Sequence, residues 1–252
     1  MRALALAALI AWGGAAQAQE PAPIQDNSFL IEEAYNQEKR VVQHINAFFH
    51  AKGGWWYTFT QEWPAGGQRS QLSYTVPLYD GGFGDLALNY RMQIVARERL
   101  SVAPRFSVLL PTGKWEEGRG NGAVGLQFNL PVSARIGPRL VTHWNAGITM
   151  TPSAPSLGGE RSTIWGLNAG ASAIYEVGHN FNVLVEVAWT RVDDIFGPGF
   201  DFSEMFVNPG IRWAHNLPGG LQIVPGIGVP IGVLEPTKVT AVFFYLSFEH
   251  DF

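Results

Sequence analysis

The chain has 252 residues, of which 15% are charged, and it contains no cysteine. The charged fraction lies well below the roughly 25% of ordinary soluble domains. A formal net charge of -4 without a basic cluster argues against a nucleic-acid partner. The lack of cysteine excludes disulfides, thiolate metal sites, thiol catalysis and a lipid anchor on an N-terminal cysteine.

Residues 1–18 have the layout of a secretory signal peptide. Arg2 gives a positive start, residues 3–12 form an apolar run, and Ala16-Gln17-Ala18 is a cleavage site of the A-x-A type. The apolar run is too short to cross about 30 Å of hydrocarbon as a helix. The sequence therefore predicts an exported protein whose mature chain begins at Gln19.

Residues 19–39 form a separate N-terminal segment that does not alternate cleanly. One interpretation is a short periplasmic helix, capped by Asn27 or Ser28, that covers the lower rim of the following domain. The other is a plug folded into the mouth of that domain. We favour the rim-covering arrangement by analogy. The candidate plug residues are Glu32, Glu33, Glu38 and Arg40.

From residue 40 onward, apolar and polar residues alternate with period two, which is typical of strands. Between residues 85 and 95, Leu86, Leu88 and Tyr90 share one face, whereas Asn89 and Arg91 share the other. Twelve such segments are predicted, near residues 40–50, 54–63, 70–78, 84–96, 99–110, 123–136, 139–150, 163–177, 180–190, 204–215, 220–231 and 238–252.

A closed transmembrane barrel fits this pattern better than helices. The longest uncharged stretch of the mature chain, residues 213–234, contains Pro218, Pro225 and Pro230 together with five glycines. Only helices and closed barrels satisfy every backbone group in lipid. A soluble sandwich or lipocalin-like barrel is the alternative, with the apolar face turned inward.

The links between the predicted strands alternate in length, as in outer-membrane barrels. Residues 96–99, 137–138, 177–179 and 216–220 would be short periplasmic turns. Residues 111–122, 151–162 and 191–203 would be longer external loops. Residues 40–252 are thus predicted to be an all-β antiparallel barrel of about twelve strands in the bacterial outer membrane, surrounded by lipid.

The last predicted strand ends with a ring-bearing side chain at every second position. Phe248, His250 and Phe252 share one face, and a terminal aromatic residue resembles the signal that the barrel assembly machinery recognises. We expect these residues to act in assembly.

Charged side chains on the polar faces would project into the lumen. They would either pair across the interior as struts or form a selectivity zone for a small-molecule solute. The candidates are Glu62, Asp85, Arg91, Arg105, Arg135, His143, Glu186 and Arg212.

Several segments resemble the transporter family named for the meta-pathway of phenol degradation. They read DNSFLIEEAYNQE at residues 26–38, VVQHI at 41–45 and PRFSVLLPTG at 104–113, with a further similar stretch at 122–131. This resemblance implies an outer-membrane barrel for uptake of small, often aromatic or hydrophobic compounds. It supplies no established binding residues.

The sequence offers little for catalysis. It has no Gly-x-Ser-x-Gly elbow and no His-Glu-x-x-His metal motif, so we predict no cofactor, no metal and no enzyme activity. Passive uptake through a channel is the favoured function. A barrel enzyme acting on lipids and a structural or adhesive barrel are the two alternatives.

Overall fold

A computed structural model describes residue 24, residues 28–193 and residues 201–252. The predicted signal peptide, the capping candidate Asn27 and residues 194–200 of the predicted external loop lie outside this described part.

The predicted all-β antiparallel barrel of twelve strands is confirmed. Some strands run as two or three collinear segments. The strands are β1 Val41–Ala51, β2 Gly54–Pro64, β3 Ser70–Tyr79, β4 Gly82–Phe83, Leu86–Met92 and Val95–Arg97, β5 Leu100–Val102 and Arg105–Leu110, β6 Gly125–Asn129 and Val132–Arg135, β7 Leu140–Pro155, β8 Arg161–Gly178, β9 Phe181–Asp193, β10 Asp201–Trp213 and His215–Asn216, β11 Gln222–Gly228 and Ile231–Gly232, and β12 Ala241–Asp251. One short 3-10 helix covers Trp115–Glu117.

The barrel closes where the first strand meets the last. β1 pairs with β12 from Val41 opposite Asp251 to Ala51 opposite Ala241. β1 also pairs with β2, with Gln43 opposite Glu62. Closure leaves no sheet edge with unpaired backbone groups, which is the condition for crossing lipid with strands.

Three prolines explain interruptions in the strands. Pro104 separates the two segments of β5, Pro131 those of β6 and Pro230 those of β11. Proline has no N–H to donate to the ladder, so regular pairing stops at each of these positions.

One predicted loop is shorter than expected. The sequence predicted an external loop over residues 151–162, but β7 continues to Pro155 and β8 begins at Arg161. A register shift between Thr151 and Ala154 accommodates this stretch, and Ser153 adopts a φ of 54° there. The prolines and glycines that indicated a loop therefore belong partly to a bulged strand.

The outer face of the barrel is apolar and the inner face is polar. Leu88 and Phe106 point outward and are 46% and 47% exposed, whereas their neighbours Asn89 and Ser107 point inward and are 6% and 0% exposed. This orientation matches hydrocarbon outside and a polar interior. Among the described residues, no helix is both long and apolar enough to cross a membrane.

The interior also contains an aromatic cluster. Phe49 stacks on Trp56 with ring centroids 5.3 Å apart, and Trp56 meets Phe243 edge-on at 6.1 Å. Phe206 lies 5.8 Å from Phe49, and Tyr245 is buried in the same cluster. One side of the lumen is therefore lined by rings.

Candidate functional site

The N-terminal segment lies inside the barrel. Ser28 donates to Ser172 on β8 at 2.7 Å, the N–H of Ala34 donates to Ser133 on β6 at 2.8 Å, and the N–H of Gln37 donates to a side chain on β3. We call Ser28 to Gln37 the plug. Over the described part of residues 26–38 the expected helix is absent, and the rim-covering arrangement is wrong, because barrel-wall side chains bind the extended backbone of this segment.

Glycines on the inner wall make room for the upper part of the plug. A Cβ atom at Gly226 would lie 2.6 Å from the ring of Phe29, and one at Gly170 would lie 2.3 Å from Cδ1 of Ile31. The Phe29 ring also stacks on Phe243 at 5.4 Å. The wall and the plug are thus shaped for each other.

A buried carboxylate binds the plug backbone. Oε1 of Glu186 accepts hydrogen bonds from the N–H groups of Leu30 at 2.9 Å and Ile31 at 3.1 Å. Oε2 accepts one from Asn208 Nδ2 at 2.7 Å. Glu186 is fully buried. A buried donor left without its acceptor is costly, so these three hydrogen bonds hold the upper plug firmly.

Glu32 lies at the centre of a second polar cluster. Its carboxylate is 3.2 Å from Arg91 Nη1, 2.9 Å from Arg105 Nε and 2.9 Å from Asn129 Nδ2. Asn145 binds both the N–H and the carbonyl of Glu32, each at 2.8 Å. Burial favours the neutral acid, but the two guanidinium groups and the hydrogen bonds outweigh it, and the pKa of Glu32 lies below its ordinary value.

The lower plug is tied to the opposite wall. Arg91 donates to Oδ1 of Asn36 at 2.9 Å and to the carbonyl of Glu33 at 3.1 Å. Gln37 donates to Oε1 of Gln43 on β1 at 2.6 Å. These bonds reach the wall opposite the Glu186 contact. The plug is therefore held on both sides of the lumen.

Cavities lie on both sides of the plug. The short turns mark the periplasmic end of such barrels. Toward the long-loop end, a cavity of about 440 Å³ is lined by carboxamides and threonines such as Gln127 and Thr149. Beside the plug, a cavity of about 370 Å³ is lined by Thr58 and Thr75. At the periplasmic end, cavities of about 80 Å³ and about 210 Å³ lie beside Glu33 and beside the short turns. The plug thus lies between the cavities at the two ends of the lumen.

Most of the predicted lumen residues do face the interior. Glu62, Arg91, His143 and Glu186 are buried there, as is Arg212. Arg105 lines both larger cavities. Arg135 pairs with Glu176 at 2.7 Å near the periplasmic turns. Arg91 also lies 3.7 Å from Glu62, so several of these charges are paired.

Asp85 differs from the expectation. It lies between two segments of β4 at the loop end, and its carboxylate accepts the N–H groups of Gly113 at 3.0 Å and Asn121 at 2.8 Å. It therefore anchors the external loop, and its role in selectivity stays a prediction.

Two candidate plug residues lie outside the lumen. Glu32 and Glu33 belong to the plug, whereas Glu38 and Arg40 are exposed at the periplasmic rim. Arg40 Nε donates to the carbonyl of Phe252 at 3.3 Å. The chain turns into β1 at this point, so these two side chains leave the interior.

The proposed assembly residues lie on the outer face of β12. Phe248 and His250 point away from the lumen, and Phe252 is exposed. His250 Nε2 is 3.3 Å from Nε2 of His44 on β1. Their role in assembly stays a prediction.

Sequence reasoning missed the inward aromatic cluster. Trp56 follows the outward Trp55, and Phe243 precedes the outward Phe244, so both faces of these strands are apolar. The two adjacent rings taken alone do not show which of them faces the lumen. The polar residue Thr58, two places after Trp56, was the available signal, because it shares the same face.

No family model matches this chain, and no curated protein matches it in sequence.

Solved structures do resemble it. An outer membrane channel from Pseudomonas putida matches with a TM-score of 0.63 and 11% identity over 87% of this chain and 98% of that chain. NanC porin matches with a TM-score of 0.58 and 8% identity over 84% of this chain and 100% of that chain. KdgM porin matches with a TM-score of 0.57 and 10% identity over 83% of this chain and 99% of that chain. The shared fold and the apolar outer face identify the chain as a bacterial outer-membrane β-barrel.

Proposed function

We propose that this barrel is a plugged channel for passive uptake of small hydrophobic or aromatic compounds across the outer membrane. The observation that carries the proposal is a lumen with two sizeable cavities at and above the plug and an aromatic cluster in its wall.

The dimensions and lining of the lumen support a small solute. Cavities of about 440 and 370 Å³ accommodate a single-ring compound, and pockets of this size hold small ligands in many proteins. Phe29 and Tyr245 border the smaller cavity, where they can contact an apolar ring. The similar solved structures include porins and a channel, which supports a transport role.

The plug makes the proposed channel a gated one. Its contacts with Glu186, Arg91 and Arg105 hold it across the lumen. A solute that crosses must shift part of the plug. The sequence carries no nucleotide-binding motif, so movement would follow the solute gradient.

Membership in the phenol meta-pathway transporter family also stays a proposal. It is supported by the segments at residues 26–38 and 104–113, which contribute the plug residue Glu32 and its partner Arg105. An aromatic solute is consistent with that resemblance.

The lipid-enzyme alternative has one contact in its favour. Ser133 Oγ lies 2.7 Å from Nδ1 of His143. Both residues are at most 1% exposed, and Ser133 also accepts the N–H of Ala34. No lipid can reach a hydroxyl covered in this way, so we propose that the barrel is not an enzyme.

Liposome swelling tests this function. Barrels with and without residues 28–37 would be reconstituted and exposed to phenol and benzyl alcohol, with a lipase assay on the same sample. We expect solute entry faster than into protein-free liposomes and without hydrolysis, and still faster entry after plug removal. Equal, negligible entry through both barrels would reject the channel.

A further inference from the structure

The carboxylate of Glu32 occupies a site built by the barrel wall. Oε1 lies 3.2 Å from Arg91 Nη1 and 3.1 Å from Arg105 Nε, and Oε2 lies 2.9 Å from both Arg105 Nε and Asn129 Nδ2. The three donors belong to β4, β5 and β6. Two guanidinium groups and a carboxamide converging on one point form a carboxylate-binding site.

Both guanidinium groups also bind partners other than Glu32, and for Arg91 these include the plug carbonyl of Glu33. Arg105 Nη1 donates to Oδ1 of Asn89 at 3.0 Å and to Ser107, and Arg91 lies 3.7 Å from Glu62. If Glu32 withdraws, the two guanidinium groups lose one of the carboxylates that face them, while Glu62 and Glu33 remain nearby. The vacated site would then lack a negative charge and the hydrogen-bond acceptors that went with it, and would favour another anion that supplies them.

A solute can approach the site from the long-loop side. Glu32 and Arg105 both line the 440 Å³ cavity and the 370 Å³ cavity. Their side chains retain 17% and 19% exposure, unlike the nearly inaccessible Arg91. Leu30 and Ile164 form an apolar part of the larger cavity. A molecule with a carboxylate and a small apolar body would meet both features.

We propose that Arg91, Arg105 and Asn129 bind the carboxylate of small ring-bearing monocarboxylates. The carboxylate of Glu32 competes with the solute for this site. Binding of such a solute displaces Glu32 and releases the plug. Since Glu32 belongs to the plug and the donors belong to the wall, solute binding and plug release are coupled by competition. The inference rests on the proposed channel function and narrows its solute class.

Planar-bilayer recordings with benzoate, and with benzyl alcohol as the neutral probe, test the competition. In the wild-type barrel, benzoate should raise the open fraction and benzyl alcohol should not. Glu32→Gln should raise the basal open fraction and lower the half-saturating benzoate concentration roughly tenfold, because one charge-assisted contact no longer competes. Arg105→Gln should abolish the benzoate response.

Glu176→Gln is the matched control, since it removes a lumen carboxylate that pairs with Arg135 and lines neither the 440 Å³ nor the 370 Å³ cavity. It should leave the benzoate response unchanged. Folding of every variant is checked by heat-modifiable migration in gels. An unchanged half-saturating concentration in Glu32→Gln, or equal responses to both probes, would overturn the competition while leaving the channel intact. If the plug-deleted barrel lets neither probe into liposomes faster than protein-free liposomes admit it, the channel function itself fails.

Discussion

Single buried carboxylates control how the plug is held. Glu186 receives two backbone N–H groups and Asn208, and Glu32 receives two arginines and Asn129. A hydrogen bond to a charged group contributes about 1.5–3 kcal/mol, and a buried partner left unpaired costs more. At the residue scale, the docking of the plug therefore depends on a few buried hydrogen bonds and ion pairs.

Glu186→Gln should loosen the plug. The amide keeps only one acceptor oxygen, so a buried donor loses its partner and plug docking should weaken by about 1–3 kcal/mol. Single-channel recording should show a higher open fraction. Glu160→Gln, in an exposed external turn, is the control and should behave as wild type. Equal open fractions in both variants would contradict the role of Glu186.

Plug closure should also respond to acid through Glu32. Its pKa is lowered in the docked state from an ordinary value of 4.5. The ionised group therefore stabilises docking fully above pH 4.5, and this contribution is lost as the pH falls through the lowered pKa. Arg91 and Arg105, which face Glu32, stay charged throughout.

The open fraction of the channel would be recorded as a function of pH for the wild type and for Glu32→Gln. The difference between the two should be constant above pH 4.5 and should shrink below it. A difference that persists unchanged into strong acid would show that the Glu32 charge does not hold the plug.

At the element scale, glycines on β8, β10 and β11 shape the wall where the plug packs. Gly210, Gly226 and Gly228 surround the ring of Phe29, and Gly170 faces Ile31. Side chains at these positions would fill the space that the plug occupies. The plug and these strands thus form one packed unit despite their separation along the chain.

Gly226→Ala should push Phe29 out of its position. The added Cβ would lie 2.6 Å and 2.7 Å from atoms of that ring, and such overpacking costs typically about 1–3 kcal/mol. We expect a raised conductance. Gly137→Ala, with open space around its Cβ, is the matched control.

Combining Gly226→Ala with Phe29→Ala tests the assignment. If the clash is with Phe29, the double variant should open no more than Phe29→Ala alone. Additive effects on the open fraction would place the clash elsewhere.

At the scale of the whole molecule, the barrel is inverted relative to a soluble protein. Apolar side chains such as Leu88 face outward, and polar side chains such as Asn89 fill the interior. The plug completes this interior by supplying partners for Arg91 and Arg105. A barrel of this kind gains its stability from lipid outside and polar pairing inside.

Leu88→Arg should lower the free energy of unfolding in lipid vesicles by about 2–4 kcal/mol if the position lies near the bilayer midplane. Ala87→Arg is the control, because Ala87 lines the 370 Å³ cavity, where a charge stays hydrated. Unfolding by urea in vesicles would measure both. A larger loss for Ala87→Arg would contradict the outward orientation.

The sequence by itself determined the twelve strands, their antiparallel order and the outward face. Each follows from a local pattern, since period-two alternation, turn residues and link lengths are read within a few neighbouring residues. The tertiary structure alone decided the position of the plug, the packing of Trp56 against Phe243, and the loop-anchoring role of Asp85. These depend on residues far apart in the chain, such as Glu32 with Arg105, that meet only when the barrel closes.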